Sequence, residues 1–201
     1  MPTLESLSLP RLIAVTGQEG SGKDTYSEHL AERGYMHVSA GDVIRDRARA
    51  EGYADPISRD ILSQVGDRFK QEFGLSPITQ SSLANYEKNA DTYPAGLVIS
   101  GLRRAGELEA FKKHGAVILW IDAAIEKRYK HQANRARGDH QDLTSFTEQS
   151  QREYLGTTDR GSIGVNLQAV EALADCRVSN DSTIEELTIK ADEALAKHSR
   201  F

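Results

Sequence analysis

Short apolar runs alternate along this chain with stretches in which apolar residues recur every third or fourth position. Leu12–Thr16, Tyr35–Ser39, Leu97–Ser100, Ala116–Ile121 and Cys176–Ser179 are brief and apolar, the signature of strands covered on both faces. Between them lie helical patterns. Asp24–Arg33 is stopped by Gly34, and Ala105–Lys113 ends at His114-Gly115. The clearest helix is predicted over about Pro56–Phe73, where Ile57, Ile61, Leu62, Val65, Phe69 and Phe73 form one stripe and Gly74 follows. Ser182-Thr183-Ile184-Glu185 fits a capping box opening the last helix. Strands separated by helices predict an α/β fold with a parallel sheet. Two stretches exceed simple alternation. Residues 53–93 hold two helical segments where one would suffice, and residues 134–142, NRARGDHQD, form a polar, arginine-bearing flap.

Composition narrows the picture. A chain of 201 residues suits a single domain, here expected over 1–201. A net charge of −5 argues against coating a nucleic acid polymer, which needs a basic face. One cysteine, Cys176, rules out an internal disulfide and a cysteine-based zinc site, and its apolar surroundings predict buried filler. Met1–Pro10 lacks the charged start and apolar core of a signal peptide, and no run approaches a membrane span. A cytoplasmic location with no membrane partner is therefore expected.

The chemistry enters at residues 17–25, GQEGSGKDT, directly after the first strand. This is G-x-x-x-x-G-K opening a helix, the phosphate-binding P-loop. Gly17, Gly20 and Gly22 let the backbone fold back so that successive N–H groups aim at one point. Lys23 adds a mobile charge, and the following helix directs its positive end to the same place. Glu19, Ser21, Asp24 and Thr25 complete the set expected to hold a nucleotide polyphosphate.

Arginines stand after three other strands. SAGDVIR brings Ser39, Gly41, Asp42 and Arg45, SGLRR brings Ser100, Gly101, Arg103 and Arg104, and Arg128, Arg135 and Arg137 follow the fourth strand. Ligands of open α/β sheets bind at the carboxyl ends of strands, and a guanidinium fork holds two phosphate oxygens while staying ionised. Arg45 and Arg103 are accordingly assigned to an acceptor's phosphate, and Arg135 and Arg137 to the moving phosphoryl group. Arg104 is the weaker of its pair, and Arg128 is equally suited to a local salt bridge with Glu126 or Asp122. Asp42 reads as either a helix N-cap or a base. His37, between Met36 and Val38, reads as sheet filler.

These motifs resemble the nucleoside-monophosphate-kinase family of P-loop kinases over nearly the whole chain. SAGDVIR is similar to the "STGD…R" stretch of adenylate kinases, and ISGLRR to the "DG-x-R" turn after strand three of related kinases. RARGDHQD with Thr144–Glu153 resembles an arginine-bearing lid and its return helix, and ADCRVSN the "AD-x-x-I-x-N" strand of dephospho-CoA kinases and dephospho-CoA-kinase-like nucleotide kinases. The GKDT ending of the loop also resembles that of phage deoxynucleoside-monophosphate kinases. The resemblance implies a five-stranded parallel sheet in the order 2-3-1-4-5, an acceptor-binding insert over about 40–93 and a lid over about 134–143. It further implies ATP and Mg²⁺ as cofactors, and Asn180 beside the donor's adenine. Two departures stand out. Asp24 follows Lys23 where Ser or Thr is usual, making Asp24 a candidate Mg²⁺ ligand. Ser100 stands where relatives carry an acidic residue, a loss for which Asp24 is the candidate compensation.

The expected activity is ATP- and Mg²⁺-dependent phosphoryl transfer to a small phosphorylated acceptor, a nucleoside or deoxynucleoside monophosphate first. Two alternatives stay open: transfer to a hydroxyl as in dephospho-CoA kinase, with Asp42 as base, and a P-loop ATPase or nucleotide switch. Nothing in the 53–93 insert encodes a particular base or sugar, and no pattern fixes the oligomeric state.

Overall fold

Both faces of the central sheet are buried, which explains why its strands read as unbroken apolar runs. The computed structural model describes residues 7–74, 76–133, 142–156 and 165–199. Among these, β1 (Leu12–Thr16), α1 (Lys23–Glu32), β2 (Tyr35–Ser39), α2 (Ala40–Ala50), α3 (Arg59–Phe73) and α4 (Pro77–Lys88) precede β3 (Gly96–Ser100). Then come α5 (Ala105–Lys112), β4 (Val117–Asp122), α6 (Ile125–Ala133), α7 (Leu143–Leu155), α8 (Leu167–Ala172), β5 (Cys176–Ser179) and α9 (Ile184–Ala196). The sheet is wholly parallel, in the order β2-β3-β1-β4-β5.

Alternate residues of each strand feed two cores. Ile13 and Val15 of β1 join Val98, Leu119 and Ile121 against Tyr26 and Leu30 of α1 and Leu187, Ala191 and Leu195 of α9. Ala14 joins Leu97, Ile99, Ile118 and Trp120 against Ile78, Leu83, Leu108, Phe111, Leu167 and Val170 on the other side. Register sets the functional edge. Val15 and Ser39 both pair with Ser100, so the carboxyl ends of β1, β2 and β3 finish together. Thr16 Oγ1 donates to the Leu102 carbonyl at 2.8 Å, tying the exit of β1 to that of β3.

Several local expectations shift. The long helix starts at Arg59, because Ser58 accepts the Ile61 amide and caps it. Its last stripe residue, Phe73, is about half exposed and lies under the Arg47 guanidinium. The cap of α9 is one residue later than expected, with Thr183 accepting from the Glu186 amide. Cys176 is half-buried rather than buried, since β5 is an edge strand. Among the described residues, no helix is long and apolar enough to cross a membrane.

Candidate active site

The loop between β1 and α1 is built for close approach. Gly22, at φ 99°, is the N-cap of α1, and no side chain caps it. Elsewhere Ser39, Ser58, Asp142, Asn166 and Thr183 cap α2, α3, α7, α8 and α9 through side-chain oxygens. The start of α1 carries no side-chain cap, as is also true of α4 and α5, and a helix N-terminus opening from a glycine loop suits a bound anion. Gly20, at φ 77°, has no room for a side chain: a Cβ there would sit 2.4 Å from the Arg128 carbonyl oxygen. Ser21 Oγ is fully buried and finds no hydrogen-bond partner among the described residues. A bare, amide-lined cradle with an orphaned hydroxyl fits a polyphosphate.

Neighbours hold this loop from several sides. Asn180, expected beside the donor's adenine, is buried under it and donates Nδ2 to the Ser21 carbonyl at 2.9 Å. His131 Nδ1 lies 2.8 Å from the Gly20 carbonyl. A carbonyl only accepts, so that nitrogen carries the proton. Arg128 makes no salt bridge with Glu126 or Asp122. It is buried, donates Nε to the Ala123 carbonyl at 3.1 Å and Nη1 to the Glu19 carbonyl at 3.4 Å and Ser150 Oγ at 2.8 Å. Its guanidinium also stands over the Phe146 ring. Burial pulls its pKa below the usual arginine range, opposed by Asp122, Glu19 and Glu153. Ser150 in turn donates to Gln18 Oε1 at 2.8 Å. No local pattern marks Arg128, His131 or Ser150 as loop supports, because their partners are backbone carbonyls, a hydroxyl and a neutral amide from distant segments.

The acceptor side is held differently. Ser39 caps α2 by accepting the Asp42 amide, so Asp42 is not the N-cap; it lies inside the first turn. Its carboxylate pairs with Arg45. Gly41 lies against that guanidinium, a Cβ there being 3.7 Å from its nitrogens. Arg103 pairs with Glu153 of α7, and Arg104 with Asp67 of α3 at 2.5 Å. Ser150 and Glu153 are one turn apart on α7, so a single helix face touches both the P-loop and Arg103. Gly101 closes the gap from the other side, its Cβ position lying 3.9 Å from Lys23 Cε. His37 is more than filler: its Nε2 lies 2.9 Å from Ser100 Oγ at the shared strand edge. Burial lowers its pKa, against the opposing pull of Asp24, Glu28 and Asp42.

Lys23, Arg103, Gly101 and the loop thus gather at one edge, with Ser39, Asp42 and Arg45 on the adjoining strand end. Arg135 and Arg137 lie outside the described residues. Asp24 and Thr25 occupy the first turn of α1. Among the described residues no group of three or more His, Cys, Asp or Glu side chains could hold a metal alone.

No protein-family model matches the chain. It is 30% identical over 192 residues to a UPF0200 protein of Sulfurisphaera tokodaii, with 95% of this chain and 99% of the relative aligned. A UPF0200 protein of Methanoregula boonei is 29% identical over 187 residues, covering 92% and 95%. Among solved structures, the chain is similar to a gluconokinase from Sinorhizobium meliloti 1021, with a TM-score of 0.51, 18% identity and coverage of 94% and 93%. A protein from Chloroflexus aurantiacus j-10-fl gives 0.54 at 16% identity, covering 96% and 100%. At such identities the likeness is one of fold, the P-loop kinase fold.

Proposed function

Since this chain belongs to the UPF0200 family, whose name specifies no activity, we propose from its site that it is an ATP- and Mg²⁺-dependent kinase of small phosphorylated acceptors, nucleoside or deoxynucleoside monophosphates first. One observation carries the reading: a P-loop with an uncapped helix behind it shares the supporting face of α7 with Arg103, the arginine that leaves the neighbouring strand. A fold alone does not specify chemistry, but a second cationic group beside the phosphate cradle does favour transfer over simple binding.

In this reading the loop amides from Gly17 to Thr25 and Lys23 hold the donor's β- and γ-phosphates. Mg²⁺, carried by the phosphates and met by Asp24, would neutralise charge on the bridging oxygens. Arg45 and Arg103 orient the acceptor's phosphate, with Ser39, Gly41, Asp42 and Gly101 lining its path. Arg135 and Arg137 neutralise the transferring group. When the attacking atom is already a phosphate oxygen, no protein base is needed. In this reading the protein is a cytoplasmic enzyme that acts on free nucleotides rather than on a polymer or membrane.

A second reading has its own support. Asp42 carries an exposed carboxylate at the same edge, which suits removal of a proton from a hydroxyl acceptor. The deciding assay couples ADP release to a panel of ribo- and deoxynucleoside monophosphates and dephospho-CoA, with Lys23→Ala as the blank. Stimulation by a monophosphate supports the first reading and stimulation by dephospho-CoA alone the second. Hydrolysis indifferent to every acceptor would leave a nucleotide switch and sink both. Lys23→Ala should lower turnover roughly 10²–10³-fold, the usual cost of one preorganised electrostatic group.

A further inference from the structure

Behind the cleft, α3 is fastened to the turn after β3 and to the first turn of α5 by two ion pairs of opposite sense. Asp67 meets Arg104 at 2.5 Å, and Lys70 meets Glu107 at 2.6 Å. The second pair is almost wholly enclosed, with Lys70 5% and Glu107 2% exposed. Burial lowers the Lys70 pKa, and Glu107 opposes that fall. A buried pair of this kind pays a desolvation penalty that well-packed apolar residues would avoid, so adhesion alone does not account for it.

The charge pattern supplies another role. On α3 the signs run negative then positive over three residues, and from the β3–α5 turn into α5 they run positive then negative over the same spacing. Sliding α3 by one turn would set Lys70 against Arg104, or Asp67 against Glu107. Like charges then face each other, so the pattern admits one register and penalises its neighbours. The Glu107 carboxylate does one thing more. Its second oxygen accepts the backbone N–H of Arg103 at 3.2 Å. Thr79 of α4 donates its hydroxyl to the Glu107 carbonyl at 3.3 Å, so both insert helices end on this residue.

We infer that Lys70 and Glu107 are positioning residues, which lock the 59–88 helices to the backbone of Arg103 and so set that arginine's place relative to the acceptor. This rests on the kinase reading above. Lys70 and Glu107 touch no reacting atom; they act through Arg103.

The test uses two neutral double variants. In Lys70→Met/Glu107→Leu the ion pair becomes apolar, and the fold should keep its melting temperature because no charge is stranded. The Arg103 amide loses its acceptor, however, so the KM for the acceptor found in the panel should rise about tenfold while the KM for ATP stays unchanged. In Lys70→Met/Glu107→Gln the side-chain carbonyl again accepts that amide, and the acceptor KM should return most of the way. An unchanged acceptor KM in the Leu variant overturns the proposal, as do changes that merely track melting temperature across both variants. If the wild-type protein phosphorylates no acceptor, the kinase reading falls separately. Amide hydrogen exchange at Arg103 then decides: faster exchange in the Leu variant, restored in the Gln variant, supports the lock, and unaltered exchange refutes it.

Discussion

The two sides of the cleft are held by opposite kinds of chemistry. On the P-loop side, the supports are neutral or aimed at backbone: Asn180 on Ser21, His131 on Gly20, Arg128 on Glu19, Ser150 on Gln18. On the acceptor side, every described arginine at the strand edge already holds a carboxylate: Arg45 with Asp42, Arg103 with Glu153, Arg104 with Asp67. The difference teaches how each side meets an anion. The P-loop is shaped by glycines at positive φ and held from neighbouring elements, so a phosphate would meet a backbone whose shape is already fixed. Under the proposed function, these arginines would exchange their carboxylate partners for the acceptor's phosphate. In that reading, a preorganised donor site and an exchangeable acceptor site would suit a reaction in which one partner is common and the other must be chosen.

Breaking the fixed side should have the larger effect. Gly20→Ala would force a left-handed backbone on an L side chain, about 1–2 kcal/mol, and drive its Cβ to 2.4 Å from the Arg128 carbonyl. Because that contact is backbone, the loop must move rather than a side chain. ATP binding, measured by calorimetry, should weaken at least tenfold, with a melting temperature lowered by several degrees. ATP affinity equal to wild type would show that the loop is not the rigid cradle described.

A smaller and opposite change is expected on the exchangeable side. Glu153→Gln removes the anion that occupies Arg103, so an acceptor phosphate no longer competes with it. The pair is part-exposed and worth about 0–1 kcal/mol, so the acceptor KM should fall by up to about fivefold while the ATP KM holds. Should the acceptor KM rise instead, Glu153 would be orienting Arg103 for substrate rather than standing in for it.

The sequence was most informative where backbone geometry is spelled by residue type. Glycine spacing after an apolar run announced the P-loop, and short apolar strands between helical patterns announced a parallel sheet. It was less informative where partners come from distant segments. Arg128 read as equally suited to a local salt bridge with Glu126 or Asp122, yet its fork turns inward to carbonyls of the P-loop and the β4–α6 turn and to Ser150. Lys70 and Glu107 fall inside two stretches predicted as helices, and nothing local reveals that they meet. His37 read as sheet filler because alternation reports which face a residue takes, not that Ser100 stands opposite at the strand end. Caps moved, by three residues at α2 and by one at α9, for a related reason: Ser39, Asp42, Ser182 and Thr183 all suit the position, and only backbone dihedrals choose between them.

Asp42 gives the mildest expected change and the sharpest distinction. Its carboxylate is 61% exposed, so its pairing with Arg45 contributes little to stability, and Asp42→Asn should leave the melting temperature near wild type. If the acceptor presents a phosphate, its oxygen is already deprotonated and the substitution should change turnover by less than about threefold, with Arg45 more available for that phosphate. If the acceptor presents a hydroxyl, a proton must leave, and losing the base should cost about 10²–10⁴-fold in turnover. The same variant at the exchangeable edge thus separates phosphate from hydroxyl acceptors by the size of a single rate ratio. A drop beyond a hundredfold would recast Arg45–Asp42 as a base held in place by its cation, rather than an arginine waiting for its anion.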